Sequence, residues 1–302
     1  MVKSNNYEPR ANNTFVLSPT KFRFKLAEDM NQRLKTLIYR AGIRLFAWCL
    51  KLPPKFLWHP ASSEIRIILK WLNTGQTPII FDIGANNGEH SKLYHEAFGC
   101  PVFAFEADPC VMEELKSQVS EIVGIKCFEV ACSDKNGTTE FHPSSFQNSN
   151  SNGASGSLLI PTGHKKHFQE IKFRSPISVT CIRLDDWIQN EIVPSPDFIH
   201  MDVQGAELMV LEGMGRHLET TSLIWLEVEN LTMYDGQPLK KDVELFFSDR
   251  GWQKKVDTTN RALTHGDQLW FNPRARGGQI SRFMELEIHA SNFLTRRMNQ
   301  TR

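Results

Sequence analysis

The sequence lacks several features that would each identify a particular class of protein. Its six cysteines are scattered without a C-x-x-C pair, which argues against zinc and disulfide frameworks and favours a reducing, cytoplasmic location. The longest uncharged apolar run near the N-terminus, 45–50, is far shorter than the ~20 residues of a membrane span. The polar stretch 1–15 has no signal-peptide core, and no segment repeats visibly.

An excess of charge of one sign is also absent. Lys and Arg number 35 against 34 Asp and Glu, so the formal net charge is +1 and nothing global indicates a nucleic-acid partner. The composition that remains, 40% hydrophobic and 23% charged over 302 residues, is that of an ordinary globular protein with a substantial core.

The N-terminal part of the chain separates from the rest by its pattern. Residues 1–20 are Asn-rich and without periodicity, which predicts disorder. Residues 21–76 are a predicted helical extension, since apolar residues recur at helical spacing over 33–51 until two consecutive prolines end the pattern. This basic amphipathic helix either packs on the main domain or contacts a membrane surface or a partner. A second helix follows, capped by Ser62 or Ser63.

Strand and helix patterns alternate from residue 77 to residue 273, the predicted main domain. Short apolar runs bounded by Gly or Pro alternate with amphipathic segments, which is typical of parallel strands joined by helices. We therefore expect an α/β protein whose doubly wound, mostly parallel sheet has seven strands, preceded by the helical extension. The predicted strands lie at 78–84, 101–108, 125–133, 196–203, 222–230, 252–257 and 267–272.

An irregular segment at 134–190 interrupts this alternation. Within it "GTTEFH" and "ISVTCI" alternate as strands do, whereas 142–165 is rich in Ser, Asn and Gly. A long polar loop inside a compact domain is either functional or disordered. Because apolar residues anchor its end, we interpret 142–165 as a lid over a ligand. The last segment, 274–302, is predicted to be an amphipathic helix.

The turn after the first strand, "IIFDIGANNGEH" at 79–90, indicates the ligand. In a doubly wound sheet, ligands bind beyond the carboxyl ends of the strands. A nicotinamide or flavin fingerprint would need glycines at 84, 86 and 89, where the chain has one glycine followed by Asn86 and Glu89. Glu89 also puts a negative charge at the helix N-terminus that would bind a pyrophosphate. The turn therefore favours a ligand without phosphates whose charged end is an amino acid.

S-adenosylmethionine is a ligand of that kind. Asp82 can balance its ammonium and sulfonium groups, directly or through water, and a close approach of the cofactor to the backbone explains Gly84 and Gly88. Glu106 follows Gly84 by 22 positions, at the end of the second strand, where a carboxylate accepts both ribose hydroxyls. Singly, Asp82 could be a helix cap and Glu106 a solvated strand end, but the pair at this spacing favours cofactor binding.

Six blocks of the sequence together resemble the FkbM family of S-adenosylmethionine-dependent methyltransferases. In order they read "FDIGANNGEH", "AFEADP", "VACSDKNGTTEFH", "CIRLDDWI", "PDFIHMDVQGAELMVLEGM" and "LIWLEVE". The resemblance covers about residues 77–273 and implies the seven-stranded class I methyltransferase fold, whose last strand runs antiparallel to the others. It also implies an activity, methylation of a hydroxyl on a sugar, glycolipid or polyketide-type small molecule.

The family pattern carries over to individual positions of this chain. It implies cofactor contacts at the turn and the strand ends, from Asp82, Gly84, Ala85, Asn86, Gly88, Glu106, Ala131, Ser133, Asp134 and Asp202. The chain departs where the family commonly reads Lys-x-Asp-x-Glu-Gly, since His200 and Gln204 replace the lysine and the glutamate. Both positions have lost a formal charge, so a role of the lysine does not transfer directly.

A hydroxyl that accepts a methyl group must lose its proton to a base or a metal-bound group. Asp202, at the carboxyl end of the fourth strand, is the first candidate base. His200, on the same face ~6.6 Å along the strand, is the second; the alternative is a buried, hydrogen-bonded histidine of the sheet. Asp202 with Glu229 and Asn230 could instead hold Mg²⁺ through oxygen ligands. Ordinary polarity at the end of a strand also explains the pair Glu229 and Asn230.

Other classes of function stay open at this level. A nicotinamide-dependent oxidoreductase is disfavoured by the missing glycines, and a catalytically inactive cofactor- or membrane-binding module by the intact turn with Glu106. A nucleic-acid or protein methyltransferase is disfavoured by the neutral charge balance and by the lack of an "NPPY"-type motif after the fourth strand. The favoured partner is a small-molecule hydroxyl acceptor, and no pattern indicates an oligomeric state.

Overall fold

The computed structural model describes four stretches of the chain: 62–72, 77–146, 153–259 and 264–275. The predicted disorder at 1–20 and the predicted basic helix at 33–51 lie outside these residues, as does nearly all of the predicted helix at 274–302. None of the helices in the four stretches is long and apolar enough to cross a membrane.

The described residues alternate between helices and strands as predicted. The helices are α1 Ser62–Trp71, α2 Glu89–Phe98, α3 Pro109–Val119, α4 His164–His167, α5 Leu184–Asn190, α6 Glu207–Gly213, α7 His217–Thr220 and α8 Lys240–Asp249. The strands are β1 Ile80–Ile83, β2 Val102–Glu106, β3 Ile125–Glu129, β4 Ala131–Cys132, β5 Gly137–Phe141, β6 Ser144–Phe146, β7 Ile171–Phe173, β8 Ile177–Ile182, β9 Phe198–Met201, β10 Leu223–Glu229, β11 Gln253–Asp257 and β12 His265–Phe271.

The central sheet has seven strands in the order β11-β12-β10-β9-β1-β2-β3. Strands β10, β9, β1, β2 and β3 are parallel, whereas β12 runs antiparallel to both β10 and β11. This confirms the predicted α/β fold and the antiparallel last strand that the family resemblance implied. The strand order reverses at β1, between β2 and β9, which makes the carboxyl end of β1 the switch point where such sheets bind ligands.

The central parallel strands are buried on both faces because helices cover both faces. Every residue of β1 and β9 is buried. On one face Trp187 of α5 packs edge-on against Phe105 and Phe128, with ring centroids 5.0 and 4.8 Å away. Elsewhere Trp71 of α1 contacts Phe271 at 4.9 Å. Each such aromatic pair adds about 0.5–1.5 kcal/mol beyond burial, so the sheet is a firm support for the loops at its carboxyl edge.

The prediction of one strand at 125–133 is wrong. The chain leaves the central sheet after Glu129, and β4 instead pairs with β8 in a separate three-stranded sheet, β4-β8-β5. The Ser133 amide continues this pairing by donating to the Ile182 carbonyl at 2.8 Å. A run of apolar residues shows that both parts are buried, but it carries no information about which sheet each part joins.

The irregular segment contains more regular structure than its composition suggests. The two predicted strands form the antiparallel pair β5–β8, which confirms them. Within 142–165, strand β6 pairs with β7, His142 bridges to Ser157, and α4 begins at His164. Residues 147–152 lie outside the described stretches.

Candidate active site

Two adjoining cavities lie at the carboxyl ends of the parallel strands. The first lies between the turn after β1, the ends of β2 and β9, strand β4 and the segment 153–158. Five of the ten residues predicted to contact a cofactor line this cavity: Gly84, Asn86, Glu106, Ala131 and Asp202. That these residues contact a cofactor stays a prediction.

Glu106 is held with its carboxylate at the wall of the first cavity. One oxygen accepts a hydrogen bond from the Asn86 amide and the other accepts from the Asp108 amide, both at 2.9 Å. Burial raises the pKa of Glu106 to about 7, although these backbone hydrogen bonds oppose the shift. Each carboxylate oxygen keeps a further lone pair, so the group can accept two neighbouring hydroxyls of a ligand.

Gly84 allows the turn after β1 to touch the end of β9. Its φ angle is 78°, and a Cβ atom there would lie 1.9 Å from the Asp202 carbonyl oxygen. Gly88 has a different reason from the predicted one, since a Cβ atom there would lie 2.4 Å from Leu115 Cδ1 of α3. Gly88 therefore serves the packing of two helices and does not line either cavity.

Asp82 does not reach either cavity wall. Its side chain is 1% exposed and accepts hydrogen bonds from Ser91 Oγ at 2.5 Å and His200 Nδ1 at 3.0 Å. The predicted direct contact between Asp82 and a ligand is therefore not supported by this arrangement. Ala85, Ser133 and Asp134, which were also predicted to contact a cofactor, line neither cavity.

Asp82 and His200 form a buried ion pair beneath the site. Burial lowers the pKa of His200, but the hydrogen bond to Asp82 and its negative charge outweigh burial, so the pKa is raised. Burial raises the pKa of Asp82, and the bonds from His200 and Ser91 bring it below its usual value. His200 lines neither cavity. Its position agrees with the alternative interpretation, a hydrogen-bonded histidine of the sheet, rather than with a base.

The second cavity adjoins the first on the side of β10. Asp202 and Gln204 line both cavities, so they form the wall that the two share. The other described lining residues come from the end of β10, from the loop that follows it, from the start of β12 and from the irregular segment: Ala154, Ser155, His164, Phe168, Ile171, Glu227, Glu229, Met233, Tyr234, Thr264 and His265.

Gln204 joins the polar groups of this shared wall. Its Nε2 donates to Asp202 Oδ1 at 2.7 Å and to Glu227 Oε2 at 2.8 Å, while its Oε1 accepts from the Tyr234 hydroxyl at 3.1 Å. The residue has a φ angle of 52°, which is uncommon for a side chain of this type and typical of functional sites. Gln204, where the family commonly has a glutamate, thus supplies two donors between the carboxyl groups of Asp202 and Glu227.

The second cavity is acidic, and its carboxyl groups are hard to ionise. Burial, reinforced by the neighbouring negative charges, raises the pKa of Glu227 to about 10 and that of Glu229 to about 7. Burial also raises the pKa of Asp202, although the Gln204 hydrogen bond and the charge of His200 oppose it. A carboxylate whose pKa is raised accepts a proton more readily than an exposed one.

The predicted lid segment contacts the shared wall directly. Ser157 Oγ donates to the Gln204 carbonyl at 2.7 Å. The Tyr234 hydroxyl lies 2.9 Å from the Ser155 carbonyl and 3.1 Å from Gln204 Oε1, so its single proton is shared between these two acceptors. The Gly163 amide donates to the Met233 carbonyl at 2.8 Å. These bonds place 153–163 over the strand ends, while opening and closing of the segment stay a prediction.

The magnesium alternative is not supported by the geometry. Asp202 and Glu229 both line the second cavity, but Asn230 does not. Within the four described stretches, no group of three or more His, Cys, Asp or Glu side chains is placed to hold a metal ion.

Three residues of the site were not predicted as functional. Gln204 was noticed only as a departure from the family pattern, and Glu227 and Tyr234 were not singled out at all. A signal for Glu227 exists, because it stands two positions before Glu229 at the end of a strand and so points to the same side. No comparable pattern in the sequence indicates Tyr234, which follows β10 in an irregular loop.

Comparisons with known proteins agree with this geometry. A family model described as the methyltransferase FkbM domain matches residues 82–253. The 2-O-methyltransferase NoeI of Sinorhizobium fredii (strain NBRC 101917 / NGR234) is 36% identical over 176 residues, which cover 56% of this chain and 70% of NoeI. The hexuronic acid methyltransferase AglP of Haloferax volcanii is 25% identical over 168 residues, which cover 55% of this chain and 62% of AglP.

A solved structure is also similar to the chain. The fibrillarin pre-rRNA processing protein of Methanococcus jannaschii aligns with a TM-score of 0.42 and 14% identity, over 71% of this chain and 76% of its own. The family match is the stronger finding, because 82–253 is more than half of the chain and includes the turn after β1 and strands β2, β9 and β10. The chain is a methyltransferase that belongs to the FkbM family.

Proposed function

We propose that the chain transfers a methyl group from S-adenosylmethionine to a hydroxyl of a sugar, a glycolipid or another small molecule. The single observation that carries the proposal is the shared wall, since Asp202 lines both the cavity next to Glu106 and the acidic cavity beside it. Methyl transfer needs a donor and an acceptor in adjoining spaces, with a proton acceptor where they meet.

The first cavity fits the cofactor chemically. Glu106 offers two carboxylate oxygens to the ribose hydroxyls, and the Gly84 backbone lies at the same wall. Glu89 in the first turn of α2 argues against a pyrophosphate, so a nicotinamide cofactor is not favoured. When bound, S-adenosylmethionine supplies an electrophilic methyl group on a positively charged sulfur.

The residues of the shared wall can do the remaining chemistry. Asp202 would accept the proton of the acceptor hydroxyl as the new oxygen–carbon bond forms and the sulfur–methyl bond of the donor breaks, which leaves the sulfur neutral. Gln204 holds the Asp202 carboxylate in place through a 2.7 Å hydrogen bond, and the segment 153–163 shields the wall from water. His200, the second predicted base, remains beneath the wall as the partner of Asp82, where its charge favours the ionised form of Asp202.

The relatives support the acceptor class. One is a 2-O-methyltransferase and the other acts on a hexuronic acid, so we infer a hydroxyl of a carbohydrate as the acceptor. The polar groups of the second cavity, which include Ser155, Gln204 and Tyr234, can exchange hydrogen bonds with a polyhydroxylated ligand.

Substitution of Asp202 tests the proposed base. We expect Asp202→Asn to lower kcat by roughly 100-fold or more, because the amide cannot take up the proton. The affinity for S-adenosylmethionine should stay close to that of the wild type, since Glu106 is unchanged. The measurement is transfer of a radiolabelled methyl group to a panel of methyl glycosides, with calorimetric titration of the cofactor.

Asp235→Asn is the matched control, because Asp235 is an exposed carboxylate next to Tyr234 that lines neither cavity. Its activity should equal that of the wild type. Full activity of Asp202→Asn would show that another group takes the proton and would contradict the role of Asp202.

A further inference from the structure

Gln204 is held by two residues, one at its backbone and one at its side chain. Ser157 Oγ donates to the Gln204 carbonyl at 2.7 Å, and the Tyr234 hydroxyl lies 3.1 Å from Gln204 Oε1. Both Ser157 and Tyr234 are 1% exposed. The φ angle of Gln204 is 52°, a left-handed backbone conformation that persists in a glutamine where surrounding contacts hold it. The two contacts therefore act on a residue whose conformation depends on its neighbours.

The two residues that hold Gln204 are anchored in turn. Ser157 pairs with His142 through two backbone hydrogen bonds, of 2.8 and 3.3 Å. Tyr234 forms an isolated bridge with Pro161, and its backbone amide donates to Gln237 Oε1 at 3.1 Å. The backbones of both residues are thus fixed, so their hydroxyl groups reach Gln204 from a defined position.

The Gln204 amide matches its surroundings in one orientation. Nε2, which carries two donor protons, faces Asp202 Oδ1 at 2.7 Å and Glu227 Oε2 at 2.8 Å. Oε1, which is an acceptor, faces the Tyr234 hydroxyl. Burial, reinforced by nearby carboxyl groups, raises the pKa of Tyr234, so this hydroxyl keeps its proton at neutral pH and remains a donor. A reversed amide would place Oε1 against an Asp202 carboxylate oxygen, where the two oxygens repel each other.

The Asp202 carboxylate depends on this amide for its orientation. Among the described residues, Gln204 is the side chain that donates a hydrogen bond to it. The terminal torsion of an aspartate has broad energy wells, so a carboxylate without such a donor rotates readily. Burial raises the pKa of Asp202, and the Gln204 hydrogen bond is the largest effect that opposes burial. A displaced Gln204 would therefore misdirect the proposed base and also make it harder to ionise.

We propose that Tyr234 and Ser157 are positioning residues of the methyl transfer, because they fix Gln204 and Gln204 fixes the Asp202 carboxylate. This inference rests on the proposed function, in which Asp202 is the base, and it adds two residues that act on the base through a third. It also connects the segment 153–158 to the base, since Ser157 belongs to that segment and the Tyr234 hydroxyl also contacts the Ser155 carbonyl at 2.9 Å.

Other titratable groups also act on Asp202, and they come from five elements. They are His90 of α2, His200 of β9, Glu207 of α6, Glu227 and Glu229 of β10, and Asp267 of β12. Within the described structure, the hydroxyl groups of Tyr234 and Ser157 form no hydrogen bond to any of them. Removal of either hydroxyl should therefore reach Asp202 through Gln204 and not through the charge of another neighbour.

Nuclear magnetic resonance of protein with ¹³C-labelled aspartate measures the pKa of Asp202 without any acceptor, and Asp202→Asn identifies its signal. We expect Tyr234→Phe and Ser157→Ala each to raise this pKa, because the Gln204 donor is then less well placed. Gln204→Met, which keeps the length of the side chain but loses the amide, should raise it most.

Kinetics measure the same changes as transfer of a labelled methyl group from S-adenosylmethionine to methyl glycosides of the common hexoses. Tyr234→Phe and Ser157→Ala should lower kcat roughly 3- to 10-fold, and Gln204→Met roughly tenfold or more, with unchanged affinity for S-adenosylmethionine. In the Gln204→Met background, Tyr234→Phe should lower kcat no further, because the side chain through which it acts is already gone.

Tyr94→Phe is the matched control. Tyr94 is fully buried and its hydroxyl donates to Glu64 at 2.5 Å, but it lines neither cavity. The control loses a buried tyrosine hydroxyl as Tyr234→Phe does, so it should leave both kcat and the pKa of Asp202 unchanged. Circular dichroism and thermal unfolding verify that each variant is folded.

The outcomes separate this inference from the proposed function. A folded Tyr234→Phe or Ser157→Ala that keeps the wild-type pKa of Asp202 would overturn the positioning role of that residue. Equal losses of kcat from Tyr234→Phe with and without the Gln204 amide would overturn the path through Gln204. Full activity of Asp202→Asn, or a wild type that does not bind S-adenosylmethionine, would instead overturn the proposed function. The resonance titration distinguishes these cases because it needs neither an acceptor nor methyl transfer.

Discussion

Gly84 shows how a single residue positions the site. Its backbone lies against the Asp202 carbonyl because no side chain intervenes, and this contact sets the turn after β1 against the end of β9. Gly99, at the end of α2, shares a positive φ angle of 61°, but a Cβ atom there would meet nothing within 4 Å. A substitution at Gly99 therefore strains the backbone only, whereas a substitution at Gly84 strains the backbone and also creates a steric clash.

We expect Gly84→Ala to cost about 3 kcal/mol or more and Gly99→Ala only about 1 kcal/mol. Alanine is strained in the left-handed conformation in both variants, but only Gly84→Ala forces the turn after β1 away from the end of β9. Urea unfolding measures both free energies. Equal losses in the two variants would contradict the close contact between Gly84 and Asp202.

The sequence predicted some site residues better than others, for a physical reason. Glu106 ends β2 and Asp202 directly follows β9, so their place at the carboxyl edge follows from the order of elements alone. Asp82 also belongs to this region, but its side chain turns inward to His200. The direction of a side chain depends on a partner that is 118 positions away in the chain, and spacing carries no such information.

Strand β10 determines the chemistry of the second cavity at the level of elements. It projects Glu227 and Glu229 to one side, where Asp202 and Glu207 already stand. Burial and mutual repulsion raise the pKa of Glu227 to about 10 and that of Glu229 to about 7. Folding therefore favours the protonated forms of these groups.

The stability of the protein should accordingly fall as the pH rises. An acid whose folded pKa is raised contributes fully below its usual value near 4.5, and that contribution is lost as the pH rises through the raised value. We expect Tm to fall from about pH 4.5 to about pH 10, by roughly 2–4 °C for each kcal/mol lost. Differential scanning calorimetry across this range is the measurement.

Glu227→Gln should make this fall smaller, because the amide has no proton to lose. Glu121→Gln is the control, since Glu121 is exposed in the loop before β3. A pH dependence that is the same in both variants would contradict the assignment to β10.

The elements that sequence patterns missed are those whose neighbours are distant. A single apolar run covers both β3 and β4, yet the two strands belong to different sheets, because β4 finds its partner in β8 about fifty positions later. The segment 142–165 is mostly polar, and the structure of its described part comes largely from contacts with Gln204 and Tyr234. Strands β1, β2, β9 and β10 were predictable because each is mostly apolar, with its few polar residues at or near the carboxyl end.

In the molecule as a whole, the central sheet could be predicted from the sequence, whereas the shape of the site could be seen only in the structure. Alternating strands and helices predicted the sheet and its switch point, and the family match over 82–253 agrees with them. The boundaries predicted for the domain, 77–273, stay a prediction. The shared wall of two cavities was not predictable, because it requires Gln204 of one loop to meet Glu227 of the next strand.

The central claim is that the first cavity binds S-adenosylmethionine through Glu106. Calorimetric titration of wild type, Glu106→Ala and Glu129→Ala with S-adenosylmethionine and with NAD tests it most directly. Glu129 is the matched control, since it also ends a strand but is exposed and paired with Lys116. Because ribose hydroxyls donate to the ionised carboxylate, affinity for S-adenosylmethionine should also increase as the pH rises through 7.

We predict that the wild type and Glu129→Ala bind S-adenosylmethionine alike and do not bind NAD, whereas Glu106→Ala loses roughly tenfold or more in affinity. Circular dichroism verifies that Glu106→Ala remains folded, and Glu106→Gln, which keeps one acceptor oxygen, should bind with intermediate affinity. A wild type that does not bind S-adenosylmethionine, or a folded Glu106→Ala that binds it as tightly as the wild type, would contradict the account.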